Sequence, residues 1–89
     1  MNTTYLPAFI KDLRRLRQHS EYSRIRRLAF EEMPAWKGLA GRSQIKRLSA
    51  HEKAYRIRAG DYRIGFFWSG DELVFARVLH RREICRFFP

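Results

Sequence analysis

The clearest pattern in the chain lies between residues 54 and 68. Tyr55, Ile57 and Ala59 alternate with Arg56 and Arg58; past Gly60-Asp61, Tyr62, Ile64, Phe66 and Trp68 alternate with Arg63, Gly65 and Phe67. A period of two predicts two strands of a sheet with one covered face and one open face. A two-residue turn at Gly60-Asp61 would set Arg58 opposite Arg63, and Arg56 opposite Gly65 with open space beside the cation. Like charges facing each other weaken a strand pair, so a hairpin that keeps them is suited to a multivalent anion such as a phosphate backbone. Ser69-Gly70-Asp71 predicts a second hairpin turn, and residues 72–79 a third strand. The length of that turn decides whether Phe75 and Arg77 or Val74 and Ala76 face the core.

Upstream the period changes to that of a helix. Thr3, Thr4 and Tyr5 suit a short edge strand, and Pro7 suits the first turn of a helix. Phe9, Ile10, Leu13 and Leu16 form an apolar stripe at spacings of three and four, with Lys11, Arg14, Arg15 and Arg17 on the other face. His19-Ser20 ends this helix. Ser20 is the expected N-cap of a second one, with Glu21 in its first turn. Its stripe is Tyr22, Ile25, Leu28, Ala29 and Met33, and Pro34 stops it. Residues 35–50 are irregular, punctuated by Gly38 and Gly41 and anchored by Trp36, Leu39, Ile45 and Leu48. Residues 84–88 read as a last short strand or a turn. The sum is a single α+β domain over residues 1–89, with a hairpin of two N-terminal helices packed on a small antiparallel sheet.

Charge changes the picture more than composition does. At 89 residues and 45% hydrophobic content the chain is long and apolar enough to fold as one small domain. Nineteen lysines and arginines stand against nine acids, a net charge of +10, so most cations cannot find an internal partner. The imbalance favours nucleic acid, an acidic protein or an anionic surface as partner. No apolar run is long enough to span a bilayer, and the N-terminus has no signal-peptide pattern, so no membrane association is expected. The single cysteine, Cys85, excludes an internal disulfide and a zinc site built on several thiolates, and fits a reducing cytoplasm. No metal-ligand spacing, P-loop or dinucleotide fingerprint is present, so no metal or cofactor is expected.

The candidate chemistry is therefore basic. Arg56, Arg58, Arg63, His80, Arg81 and Arg82 form the central set, and Lys46, Arg47 and Lys53 make the approach to it positive. The plain alternative is a solvated basic face; an arginine-lined concavity is also how phosphates are clamped. Tyr55, Tyr62, Phe66 and Trp68 run in the opposite phase to the arginines and belong to the core. Phe67 shares the arginine phase and is the better candidate for stacking on a base. His80 is the candidate for acid/base work, whereas His19 and His51 are expected to be exposed and without a role.

Lys46-Arg-Leu48, Tyr55-Arg-Ile-Arg-Ala-Gly-Asp-Tyr-Arg63 and His80-Arg-Arg-Glu-Ile84, together with the helix hairpin, resemble the RelE/ParE superfamily of type II toxin–antitoxin toxins over nearly the whole chain. The resemblance implies a toxin neutralised by a cognate acidic antitoxin in a hetero-oligomer. RelE-like members are metal-independent endoribonucleases that cleave messenger RNA on the ribosome by attack of a 2′-hydroxyl on the adjacent phosphate. By resemblance Arg56 and Arg58 fall at basic catalytic positions, and Arg63 and Arg81 on phosphate-stabilising arginines. Cys85 stands where many relatives carry a tyrosine that meets the RNA, and His80 would supply acid/base function. Two alternatives stay open: a ParE-like toxin that inhibits DNA gyrase without a nuclease set, and a catalytically degenerate module that only binds antitoxin.

Overall fold

The computed structural model describes residues 2–89. In chain order its elements are β1 (Asn2–Tyr5), α1 (Pro7–Arg15), α2 (Tyr22–Arg27), β2 (Ile45–Arg47), β3 (Ala54–Ala59), β4 (Tyr62–Trp68), β5 (Glu72–His80) and α3 (Ile84–Phe87). The strands form one five-stranded sheet in the order β1-β5-β4-β3-β2. β1 is an edge strand as expected, but it pairs parallel to β5, with Asn2 beside Glu72 and Tyr5 beside Phe75. The other pairings are antiparallel.

The central hairpin closes as its alternation predicts. Ala59 pairs with Tyr62, Arg58 with Arg63 and Arg56 with Gly65. Gly60 takes φ 61° at the first central position of the two-residue loop, where a II′ hairpin turn requires a residue free to adopt positive φ. The carboxylate of Glu21 lies against this glycine and so ties the start of α2 to the turn.

Ser69 donates its N–H to the Glu72 carbonyl, which makes Gly70-Asp71 a two-residue turn. Simple alternation from there would put Phe75 and Arg77 on one face. The ladder instead shifts between Gly65 and Phe66: Phe66 faces Phe75, but Gly65 faces Arg77. One extra residue, Ala76, is therefore inserted in β5 as a bulge. Leu73, Phe75 and Val78 face the helices, while Ala76 is buried on the opposite face.

The larger core lies between the helices and the sheet. Phe9, Leu13, Leu16, Ile25, Ala29 and Met33 pack on Ile57, Ile64, Phe66, Leu73, Phe75 and Val78. The aromatic residues in phase with Ile57 and Ile64 are thus core, as their phase predicts. Ser20 does not cap α2. Its N-cap position is Glu21, whose backbone N–H is taken by His19 Nδ1 at 3.0 Å. Beyond α2 the coil widens into a π-helical stretch, Leu28–Glu32, and then a 3₁₀ turn, Met33–Ala35. Within the π-helical stretch the Ala29 carbonyl accepts from Tyr5 Oη at 2.7 Å, which ties β1 to this stretch.

Residues 84–88 form neither a strand nor a plain turn. α3 covers the opposite face of the sheet, where Ile84 and Phe88 pack with Ala54 and Ala76. The open space expected beside Arg56 is filled: the Phe88 ring sits directly over Gly65, and a Cβ there would meet the ring at 2.5 Å.

Candidate nucleic-acid interface

β2, β3 and β4 bring the cations together through simple ladder pairing. Lys46 stands beside Arg56, and Arg58 beside Arg63, all on the face opposite α1 and α2. Arg58 also donates its backbone N–H to the Gln44 carbonyl, which extends the row past the end of β2. The four side chains line a cavity of about 210 Å³ with Ser43 and Gln44. Among the described residues, no carboxylate forms an ion pair with Lys46, Arg56, Arg58 or Arg63.

Arg63 is the most constrained member. Its Nη1 donates to the carbonyls of Gly60 and Tyr62, both at 2.9 Å, so the guanidinium is folded onto the turn. Burial lowers its pKa, and the neighbouring charges of Arg58, Arg56 and Arg81 lower it further, against a smaller opposing effect of Asp61. The four arginines therefore act on one another as a single positive site. Such a site favours a ligand that brings several negative oxygens at once.

Arg81 reaches the rim through the turn. Its N–H donates to the Asp61 carbonyl at 2.8 Å, and its Nε lies 3.9 Å from the Asp61 carboxylate. Cys85 joins from α3: Arg56 Nη1 donates to its Sγ at 3.2 Å, and the thiol is exposed. A second cavity, about 370 Å³, continues the first past Lys46 and Arg56 and is lined by Arg47, Cys85, Phe88 and Pro89 among others. Arg47 Nε is turned to the Glu52 carbonyl at 3.3 Å.

His80 is not brought to this cluster. It pairs with Tyr62 across β4 and β5, and the two rings meet edge to face at 5.5 Å. Tyr62 packs on the helix-covered core, so His80 stands on the helix side of the sheet while Arg58 and Arg63 stand on the other. His19 also packs edge to face on this tyrosine, at 4.8 Å. The backbone of Arg82 turns back on His80, donating to Nδ1 at 3.1 Å, and its side chain is exposed. Lys53 and Phe67 lie on the arginine face but at its other end, beside His51.

Sequence reasoning missed two features, one on this face and one at the edge of β5. Phe88 beneath Arg56 had no signal apart from Gly65, whose missing side chain marks a close approach. The pair Asp12–Arg77 had one: Asp12 falls three residues after Phe9 and four before Leu16, within the apolar stripe of α1.

No family model matches the chain. It is 38% identical over 90 residues to toxin RelE3 of Methanocaldococcus jannaschii, with all of both chains covered. It superposes on a structure of a RelB–RelE antitoxin–toxin complex from Methanococcus jannaschii at TM-score 0.75 and 37% identity, covering 97% of this chain and 99% of that one. YafQ from E. coli strain BL21(DE3) shares the fold at TM-score 0.74 but only 15% identity, covering 93% of this chain and 96% of that one. Full-length identity to a RelE toxin, the matching five-stranded α+β fold and the arginine row on the face left open by the helices agree: the chain belongs to the RelE/ParE superfamily of type II toxin–antitoxin toxins.

Proposed function

We propose that this toxin cleaves messenger RNA on the ribosome, and that Arg56, Arg58, Arg63 and Arg81 clamp the scissile phosphate. The observation that carries the reading is the ladder register itself: Lys46 beside Arg56 and Arg58 beside Arg63 line one cavity, and among the described residues no carboxylate forms an ion pair with any of the four. Attack of a 2′-hydroxyl on phosphorus gathers extra negative charge on the phosphoryl oxygens. Preorganised donors aimed at that charge lower the barrier, and guanidinium groups stay charged while they do so. Lys46 and Arg47 line the approach for flanking phosphates. His80 stands on the other side of the sheet, so this reading gives it no proton to move. Cys85, held at Arg56, is the side chain from α3 that meets the RNA.

The partner of the resting protein is an acidic antitoxin that covers the same face. Support comes from the solved relatives, which include the RelB–RelE complex from Methanococcus jannaschii and an E. coli DinJ–YafQ complex. The net charge of +10 matches an acidic partner. Association should slow and weaken as salt rises.

The test is cleavage of messenger RNA on a programmed ribosome by the purified toxin without metal. Cleavage that Arg63→Ala reduces by roughly 10²–10³-fold in a folded protein bears the reading out. A wild type that leaves the message intact but inhibits supercoiling by gyrase overturns it in favour of the ParE-like alternative.

A further inference from the structure

At the far end of the arginine face is a third cavity, about 330 Å³, lined by His51, Lys53, Phe67, Ser69, Glu72 and Val74. We infer that it is a subsite for one unpaired RNA base with an exocyclic amino group, stacked in the corner between Phe67 and His51. This rests on the proposal that the arginine row takes RNA.

Several independent features point to a base. The rings of Phe67 and His51 meet at 63° with centroids 5.2 Å apart, which makes an aromatic corner open to the cavity. A flat ring laid on one is bordered by the other, and every base has a face for such stacking. Phe67 also packs on Phe88, centroids 5.2 Å apart, which limits the freedom of its ring. His51 Nδ1 accepts the Lys53 N–H at 3.1 Å, which sets the orientation of its ring.

The charges sort the parts of a nucleotide. Lys53 supplies a cation for the backbone that carries the base. Glu72 repels phosphate, but its carboxylate accepts N–H from an amino group, as acidic side chains do with cytosine. Uracil has no amino group to offer. The location also fits a single strand. Phe67 pairs with Ala54, four residues along β3 from Arg58, which is roughly 13 Å at the rise of a strand. The cavity at Lys46, Arg56 and Phe88 extends from the arginine row, and Phe88 packs on Phe67.

The probe is a short 2′-O-methyl oligoribonucleotide, which cannot be cleaved, carrying the fluorescent base 2-aminopurine at one position at a time. Quenching should concentrate at a single position. His51→Ala and Phe67→Leu should relieve it and weaken binding roughly 5- to 100-fold, the scale of one base–aromatic stack. His51 is exposed, so its variant reports even if Phe67→Leu fails to fold. Glu72→Gln should erase a preference for cytosine over uracil at that position. Arg58→Gln should weaken every probe without moving the quenched position. Quenching that is absent, equal at all positions or unchanged in His51→Ala overturns the inference. Cleavage on programmed ribosomes is scored separately: cleavage without the quench removes the base subsite alone, and the quench without cleavage removes the nuclease reading alone.

Discussion

Asp12 of α1 holds Arg77 of β5 through two hydrogen bonds, from Nε at 2.7 Å and from Nη2 at 3.0 Å, and also accepts the backbone N–H of Val78 at 3.1 Å. β1 has ended by this point, since its last pair is Tyr5 with Phe75. The remainder of that edge of β5 would otherwise present unpaired backbone donors. Asp12, only 3% exposed, takes one of these donors and fixes α1 on the sheet.

Asp12→Ala leaves a guanidinium and a buried amide without their acceptor. Orphaning one member of a buried pair costs about 3–5 kcal/mol. The lower end applies here, because the Arg77 side chain keeps 24% of its surface in water. Urea unfolding monitored by circular dichroism measures it. Replacing both partners, as Asp12→Leu with Arg77→Met, should recover part of the loss. A single-variant loss below about 1 kcal/mol would show that the pair does not hold α1 in place.

Gly65→Ala should displace Phe88, because the added Cβ would fall 2.5 Å from a buried ring. Overpacking of this kind costs about 1–3 kcal/mol. The damage should be local to α3: amides of residues 84–88 should exchange with solvent faster while the helix-side core stays protected. Uniform exchange rates across the two regions would place the close contact elsewhere.

The arginine row sets function against stability. Opposed like charges across a strand pair cost about 0.2–1 kcal/mol. Arg58→Gln should therefore raise the melting temperature of the free toxin slightly while reducing cleavage. Arg63→Ala should cut cleavage by roughly 10²–10³-fold, the scale of one charge-stabilising donor. The lowered pKa of Arg63 means that its charged form is disfavoured by folding. That penalty is present at every pH below its folded pKa and is relieved only as pH rises through that value, far above neutrality. Stability near neutral pH should thus be insensitive to this group, and added polyphosphate should stabilise the wild type more than Arg58→Gln. An Arg58→Gln variant that is less stable than wild type and equally responsive to polyphosphate would contradict the shared anion site.

His80→Ala should reduce cleavage by less than about tenfold and leave its pH profile unchanged, because proton transfer by a positioned group is worth about 10²–10⁴-fold and His80 faces Tyr62 instead. A larger loss with a flattened profile, in a variant folded by circular dichroism, would bring the histidine into the chemistry.

The hairpin was readable because period two and a glycine turn fix register without tertiary help. Arg58 facing Arg63 followed from the letters alone. The face of His80 followed too late: its phase depends on the bulge at Ala76, and a bulge leaves no trace in alternation. Asp12 and Arg77 are 65 residues apart, and only docking of α1 on β5 brings them together. α3 eluded the pattern because four residues are too few to show a helical period. Its anchor, Phe88, packs against a glycine, and an absent side chain says where something approaches but not what.

The parallel seam between β1 and β5 has a consequence for the order in which the molecule assembles. Asn2 is made long before Glu72, its partner in the seam. Until that point in synthesis the hydrophobic side of α1 has half a sheet beneath it, and β1 has nothing to pair with. Closing a loop of that length before any contact rewards it makes the step slow. The hairpin of β3 and β4, by contrast, is local and can form as it emerges. The early chain is thus a charged ribbon with its arginines already in line and its scaffold still missing, and the seam is what turns the one into the other.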